Sequence, residues 1–235
     1  MDEARKTNSL RGEEFIRRYF SGSVIDIGCG PDLVVPHAVP FDVEQGDAQW
    51  ILNYFEPESF DCVHSSHCLE HMRNVESALA QWWGLVKQGG HMVIVVPDED
   101  LYEQGIWPSL FNPDHKATFN LGKQNSWSPV SRDPGALVRA LPDAEIIEAC
   151  VHDKGYDRRL MPKWGPKFGR VLFRLAEPRN RFFHRLMRHG VPIYRVNQAF
   201  NRLGRVLGQP VDQTLGPAFA QIQVVARKTQ SRSTS

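Results

Sequence analysis

A short apolar segment ending in two closely spaced glycines constrains the fold of this chain more than any other feature. Residues 23–27 read Ser-Val-Ile-Asp-Ile, a β-branched run typical of a buried strand, and Gly28 and Gly30 follow it directly. Two glycines one residue apart allow a tight turn whose backbone approaches a ligand closely. In open α/β sheets, ligands bind at the carboxyl ends of the strands. The segment therefore predicts an α/β fold with a binding site beside these glycines.

Further strand and helix patterns alternate along the chain. They predict helices over 10–20, 74–87 and 136–142, strands over 38–43, 60–64, 91–96, 144–150 and 219–227, and a long loop over 101–135. Strands separated by helix-length connections indicate a mostly parallel sheet.

The glycine turn lacks the features of the common phosphate-binding loops. A dinucleotide fingerprint needs a third glycine at position 33, which is Leu33, and the Gly-Lys-Ser/Thr of a P-loop is absent. A nucleotide-like ligand without a pyrophosphate is therefore favoured over NAD or ATP.

The charge of the chain is divided between its two parts. The formal net charge is +1, but residues 1–150 hold 11 Lys/Arg and 23 Asp/Glu (−12), whereas residues 151–235 hold 17 and 4 (+13). Such asymmetry points to an anionic partner.

The sequence has no apolar run of the ~18 residues that span a bilayer, no secretory signal pattern and only four cysteines. We therefore expect a cytoplasmic protein, with a peripheral position at a membrane left open.

Three motifs in a fixed order carry a family resemblance. They are VIDIGCG at 24–30, FDCVHSSHCLEH at 60–71 and LVKQGGHMVIVVP at 85–97. Over residues 10–150 and the last strand, the chain resembles class I S-adenosylmethionine (SAM) dependent methyltransferases of the type 11 group. The resemblance implies a Rossmann-like fold, a mostly parallel sheet with an antiparallel last strand, and SAM as the cofactor. The last two strands of this family are usually joined closely, so the long basic segment before the last strand is expected to be a helical insertion.

The resemblance also implies site residues. It assigns cofactor binding to Asp26, Gly28, Cys29, Gly30, Asp42, Asp47, Ala48, Ser66 and His67. Asp42 would accept hydrogen bonds from both ribose hydroxyls, with Glu44 as the alternative. His71 or His115 would act as a general base on the acceptor.

The chain departs from the family pattern after the glycine turn. Only twelve positions separate Gly30 from Asp42, so we expect the following helix to be lost or reduced to a turn. Asp47 follows Asp42 so closely that the third strand is expected to be vestigial. We predict no metal site from His64, His67, Cys68 and His71, because the family segment accounts for these residues without a metal.

The basic residues of the second part lie mostly in one segment. Residues 158–205 hold 13 Lys/Arg and one acid, with apolar residues at helical spacing, and Pro178 and Pro192 are expected to divide it into three helices. An anionic membrane surface, an acidic substrate or nucleic acid would each suit such a segment.

These observations predict four parts: a methyltransferase core at 1–150, a basic insertion at 151–218, a last core strand at 219–228 and a disordered tail at 229–235. The predicted activity is methyl transfer from SAM to an oxygen of a small-molecule, sugar or glycan acceptor, with a membrane-associated acceptor left open. A SAM-binding pseudo-enzyme or regulatory module, and a nucleic-acid methyltransferase, are the alternatives.

Overall fold

The computed structural model describes residues 3–188 and 194–229. The strands are β1 (Val24–Ile27), β2 (Val39–Phe41), β3 (Phe60–Ser66), β4 (Val86–Pro97), β5 (Thr118–Phe119), β6 (Ser131–Arg132), β7 (Ala144–His152) and β8 (Gln221–Lys228). The helices are α1 (Glu3–Asn8), α2 (Glu13–Tyr19), α3 (Val75–Gly84), α4 (Pro134–Arg139), α5 (Pro166–Arg188) and α6 (Tyr194–Val206). In the described part of the chain, no helix combines the length and the apolar character needed to cross a membrane.

Six strands form one sheet in the order β2-β1-β3-β4-β8-β7. The first four pair in parallel, whereas β8 runs antiparallel to both of its neighbours, β4 and β7. The predicted α/β fold with an antiparallel last strand is confirmed. Because β1, β2 and β3 are parallel neighbours, their carboxyl ends meet at one edge of the sheet.

The sheet is covered on both faces by apolar side chains. On one face, α3 buries Trp82 and Trp83, whose indole nitrogens donate to the carbonyls of Ala48 (2.9 Å) and Pro142 (2.8 Å). On the other face, Tyr19 and Phe20 pack at the end of α2. A buried indole N–H without an acceptor would be costly, so these two bonds fix how α3 lies on the sheet.

The connection between β1 and β2 is short. No helix intervenes between Ile27 and Val39, and the Gly28 amide donates directly to the Phe41 carbonyl (2.7 Å). No strand forms between Asp42 and Asp47, where the third strand was expected, and a 3-10 segment over Ala48–Asn53 follows. Both predicted departures from the family pattern are confirmed.

Two element boundaries were predicted wrongly. The helix expected over 74–87 ends at Gly84, because β4 already begins at Val86. The break expected at Pro178 is absent, and α5 continues through this proline. A proline within a helix removes one backbone hydrogen bond. The carbonyl that loses it belongs to exposed Arg174, where water can replace the donor. The break expected at Pro192 lies outside the described residues.

Helices α5 and α6 contact each other and expose apolar side chains. The exposed apolar side chains lie on α5, on α6 and in the turn before α5. They are Trp164, Phe168, Val171, Leu175, Phe182, Val196, Phe200, Leu203 and Val206. We call these two helices with residues 158–165 the basic hairpin.

Candidate functional site

A cavity of about 750 Å³ opens at the carboxyl ends of β1, β2 and β3. We call it the cofactor pocket. It is lined by Gly28, Gly30, Phe41, Asp42, Val43, Gly46, Asp47, Ala48, His67, Cys68, His71, Met72, Arg73 and Asp114. Six of the nine predicted cofactor-binding residues are among them, and they come from separate segments of the chain.

The glycine turn forms the floor of this pocket. Gly28 has φ +73°, and a Cβ placed on it would lie 2.5 Å from Cβ of Cys68, which no real side chain tolerates. Gly30 has φ +54°, and no heavy atom lies within 4 Å of the corresponding Cβ position. The turn therefore packs tightly against Cys68 on one side and leaves open space at Gly30 for a ligand.

Asp42 stands opposite the glycine turn at the end of β2. Its Oδ2 accepts from the Gly30 amide (2.6 Å) and its Oδ1 from the Val43 amide (2.7 Å). Each carboxylate oxygen keeps a further lone pair, and the side chain lines the pocket. Glu44, the alternative ribose ligand, is exposed and is not among the pocket residues.

Asp47 and Arg73 form the outer wall. Asp47 Oδ1 accepts from the Gln49 amide (2.9 Å) and its Oδ2 pairs with Arg73 (2.6 Å). The hydrogen bond from the Gln49 amide is the main contact that holds the pKa of Asp47 below its ordinary value, and Arg73 lowers this pKa further. Sequence reasoning missed Arg73, because nothing in the 60–71 motif marks the residue two positions beyond it.

Three predicted cofactor residues lie away from the pocket lining: Asp26, Cys29 and Ser66. Asp26 does not point out of the end of β1 toward the pocket. Its side chain is buried, and it accepts from the Val34 amide (2.7 Å) and from Nδ1 of His64 (2.6 Å) on the adjacent strand. Burial holds the pKa of His64 below its ordinary value, although Asp26 opposes this. Asp26 thus orders the segment after the glycine turn.

The four residues considered for a metal do not converge. His64 faces Asp26 within the sheet, and Cys68 packs beneath Gly28. His67, Cys68 and His71 line the cofactor pocket, whereas His64 does not.

A second, smaller cavity of about 200 Å³ adjoins the cofactor pocket, and His67 lines both. We call it the acceptor cavity. It is lined by Lys6, His67, Glu70, Tyr102, Asn112, His115, Thr214, Phe219, Ala220 and Gln221. Both predicted catalytic histidines lie at this junction, since His71 lines the cofactor pocket and the rings of His71 and His115 are 5.1 Å apart.

Each of these histidines is oriented by a carboxylate. Nδ1 of His115 donates to Glu103 Oε1 (2.7 Å), and both side chains are buried. Nδ1 of His71 donates to Asp114 Oδ2 (3.0 Å). In the neutral ring, each bond leaves the proton on Nδ1 and a lone pair on Nε2.

The match to known proteins decides the family. The sequence profile of a family described as a methyltransferase domain matches residues 10–157, which is more than half of the chain. The chain belongs to this methyltransferase family. The resemblance seen in the sequence is confirmed: the protein is a class I SAM-dependent methyltransferase.

Solved structures similar to this methyltransferase share little sequence with it. A SAM-dependent methyltransferase from Archaeoglobus fulgidus is 16% identical over 97% of this chain and 95% of that chain, with a TM-score of 0.49. A SAM-dependent methyltransferase from Thermotoga maritima is 13% identical over 97% and 88%, with a TM-score of 0.44. The YcgJ protein from Bacillus subtilis is 16% identical over 84% and 74%, with a TM-score of 0.41. No curated protein matches the chain.

Glu70 is a buried carboxylate of the methyltransferase that sequence reasoning did not single out. Glu70 is 0% exposed and lines the acceptor cavity. Burial by itself would raise its pKa, but His67, His115 and His71 outweigh burial and hold that pKa below its ordinary value. Glu70 thus lies buried next to the predicted catalytic histidines. The Leu-Glu-His motif contained this residue, but only the histidine was considered as a reactive group.

Proposed function

We propose that this methyltransferase transfers a methyl group from SAM to an oxygen of a small-molecule or sugar acceptor that is held at a membrane surface. The observation that carries the proposal is the pair of adjoining cavities. One offers an open glycine turn opposite a carboxylate, and the other places a buried histidine–carboxylate pair beside it.

The residues of the cofactor pocket suit SAM. Asp42 would accept from both ribose hydroxyls, and Gly28 and Gly30 would let the backbone approach the amino-acid part of the cofactor. Asp47, Ala48 and the backbone of His67 are proposed as further contacts. Asp26, Cys29 and Ser66 would act indirectly, by shaping the segments that carry these contacts.

The protein's main task is positioning. When bound, SAM supplies a methyl carbon on a positively charged sulfur, so the acceptor lone pair forms the new bond while the carbon–sulfur pair stays on sulfur. We propose that His71 and His115 promote loss of the proton from the acceptor hydroxyl, as expected of a general base. His115 is the stronger candidate because Glu103 orients its ring.

The acceptor cavity limits what can enter. Its volume of about 200 Å³ lies below the ~300–1,000 Å³ of most ligand pockets, so it holds one small group, such as a single sugar ring. Most of its lining residues carry a polar side-chain group, which suits a group with several hydroxyls.

A third cavity suggests where the rest of the acceptor lies. It measures about 850 Å³ and extends beneath the basic hairpin, with Leu110, Phe111, Phe173 and Leu215 in its lining. Residues adjacent in sequence line the two cavities, since Phe111 borders this one and Asn112 borders the acceptor cavity. An acceptor with a polar head and an apolar tail, such as a lipid-linked glycan, would fill both.

The basic hairpin is the part of the protein that would contact the membrane in this proposal. Phe168, Val171 and Leu175 form an exposed stripe at helical spacing, and exposed Lys167 and Arg174 flank it. Apolar side chains that enter the headgroup layer and cations that meet anionic lipids are the two requirements of an interfacial helix. The proposed occupant of this face is therefore an anionic bilayer.

Transfer of a radioactive methyl group tests the proposal. With methyl-tritiated SAM and a cellular membrane fraction, we expect label in organic-extractable material, and His115→Gln should lower the rate about 100-fold or more. SAM affinity of the variant should stay within about twofold, because His115 does not line the cofactor pocket. Label confined to the aqueous or nucleic-acid fraction would contradict the acceptor class, and no label in any fraction would favour a pseudo-enzyme.

A further inference from the structure

The carboxylate of Glu70 lies buried without a hydrogen-bond partner. Among the described residues, neither Oε1 nor Oε2 has one, and both atoms are inaccessible to water. The nearest ring nitrogens to Oε1 are Nδ1 of His67 at 3.6 Å and Nε2 of His115 at 3.9 Å. A carboxylate that is buried in this way needs a cation or a hydrogen-bond donor to compensate it. The position therefore suits a positively charged partner.

His71 and His115 have the orientation of metal ligands. A histidine that binds a metal through one ring nitrogen commonly donates from the other to a carboxylate. His115 does so to Glu103 and His71 does so to Asp114. His115 thereby directs the lone pair of Nε2 toward Glu70.

These three side chains already lie close together. One ring nitrogen of His71, one of His115 and one oxygen of Glu70 are all within 4.8 Å of one another. Ligand bonds of about 2.0–2.2 Å would need only small inward movements of the side chains. We infer that Glu70, His71 and His115 form a binding site for one divalent transition-metal ion.

The ligand chemistry selects the class of ion. Two imidazoles and one carboxylate suit zinc and its neighbours in the first transition row, whereas magnesium and calcium prefer oxygen ligands throughout. Three protein ligands leave positions open for water or substrate, as in catalytic rather than structural zinc sites.

The location of the site deepens the proposed function, on which the role of the ion rests. The site lies at the junction of the cofactor pocket and the acceptor cavity. An acceptor hydroxyl that took an open position on the ion would have a lowered pKa and would lose its proton to solvent at neutral pH. His71 and His115 would then promote proton loss through the ion rather than by taking the proton themselves, and Glu70 would gain the cation that its burial requires.

Metal titration of the intact protein tests this inference. Protein made without a polyhistidine tag is stripped with a chelator and titrated with Co²⁺, while the visible absorption of the bound ion is recorded. We expect one ion per chain, bound at least tenfold more weakly by Glu70→Gln and by His115→Gln. The variant Glu103→Gln keeps all three ligands but frees His115, and should weaken binding about 10- to 100-fold. His37→Gln, at an exposed histidine, is the matched control and should bind as the parent does.

A second set of measurements keeps the result interpretable. His71→Gln provides a further ligand variant whose side chain is 25% exposed and so places less demand on folding. Binding of S-adenosylhomocysteine is measured on every variant as a check on the fold and on the cofactor pocket.

Less than one ion per chain in the parent, or equal Co²⁺ affinity in the parent and in Glu70→Gln and His71→Gln, would overturn the inference. If cofactor binding and methyl transfer persist in that case, the proposed function stands with direct proton uptake by histidine. If the cofactor fails to bind as well, the proposed function fails too.

Discussion

Gly28 shows at the scale of one residue how the fold and the cofactor pocket depend on each other. Its Cβ position is occupied by the side chain of Cys68, and its φ is +73°. We expect Gly28→Ala to destabilise the protein by about 2 kcal/mol and to weaken SAM binding at least tenfold, because the turn must move away from Cys68.

Chemical denaturation and calorimetric titration measure the two effects. Gly12→Ala is the control, since no heavy atom lies within 4 Å of its Cβ position and its backbone is extended. An unchanged Kd for SAM in Gly28→Ala would show that the turn does not shape the pocket.

The place of some residues at the cofactor pocket was predictable from sequence, because the backbone decides it. Gly28, Gly30 and Asp42 follow directly from strand ends at one edge of the sheet. The partners of Asp26 and His115 were not predictable, because they depend on the neighbouring strand and on a long loop. Sequence spacing carries no information on such contacts between distant segments.

At the scale of elements, the core was predicted better than the basic hairpin. Periodicity identified β1, β3, β4 and β8, because buried strands leave continuous apolar runs. It failed at Pro178, where an exposed helix tolerates the loss of one hydrogen bond. It also missed α1, which is short and has no clear apolar face of its own.

The exposed stripe of α5 yields a prediction at this scale. The double variant Val171→Ser, Leu175→Ser should bind vesicles with anionic headgroups about tenfold more weakly than the parent, because two exposed apolar side chains no longer enter the headgroup layer. Its free energy of unfolding should change by less than about 0.5 kcal/mol per site, since both positions are exposed.

Vesicle co-sedimentation measures that binding. Val151→Ser removes a half-exposed valine from β7 and should leave vesicle binding unchanged. Equal binding of the parent to anionic and to neutral vesicles would contradict the role of the flanking cations.

For the whole molecule, the charge division follows the architecture. The acidic part contains the methyltransferase core, and the basic part contributes the basic hairpin. The near-neutral total therefore hides two parts of opposite charge, for which we propose different partners.

The stability of the whole molecule should fall in mild acid. Burial lowers the pKa of His64, His91 and His152 in the folded protein. The unfolded chain, with histidine pKa values near ~6.5, then binds more protons, so stability is complete above that pH and is lost as the pH falls below it. Urea midpoints should be lower at pH 5.5 than at pH 7.5 with an unchanged m-value, and His91→Gln should reduce the difference. A higher midpoint at pH 5.5 would contradict the account.

Calorimetric titration with S-adenosylhomocysteine tests the central claim most directly, because it needs no knowledge of the acceptor. The account predicts one binding site per chain, at least about tenfold weaker binding by Asp42→Asn, which loses a charged acceptor facing the ribose, and unchanged binding by Glu44→Gln. Absence of binding by the parent protein, or a loss of affinity in Glu44→Gln without one in Asp42→Asn, would contradict it.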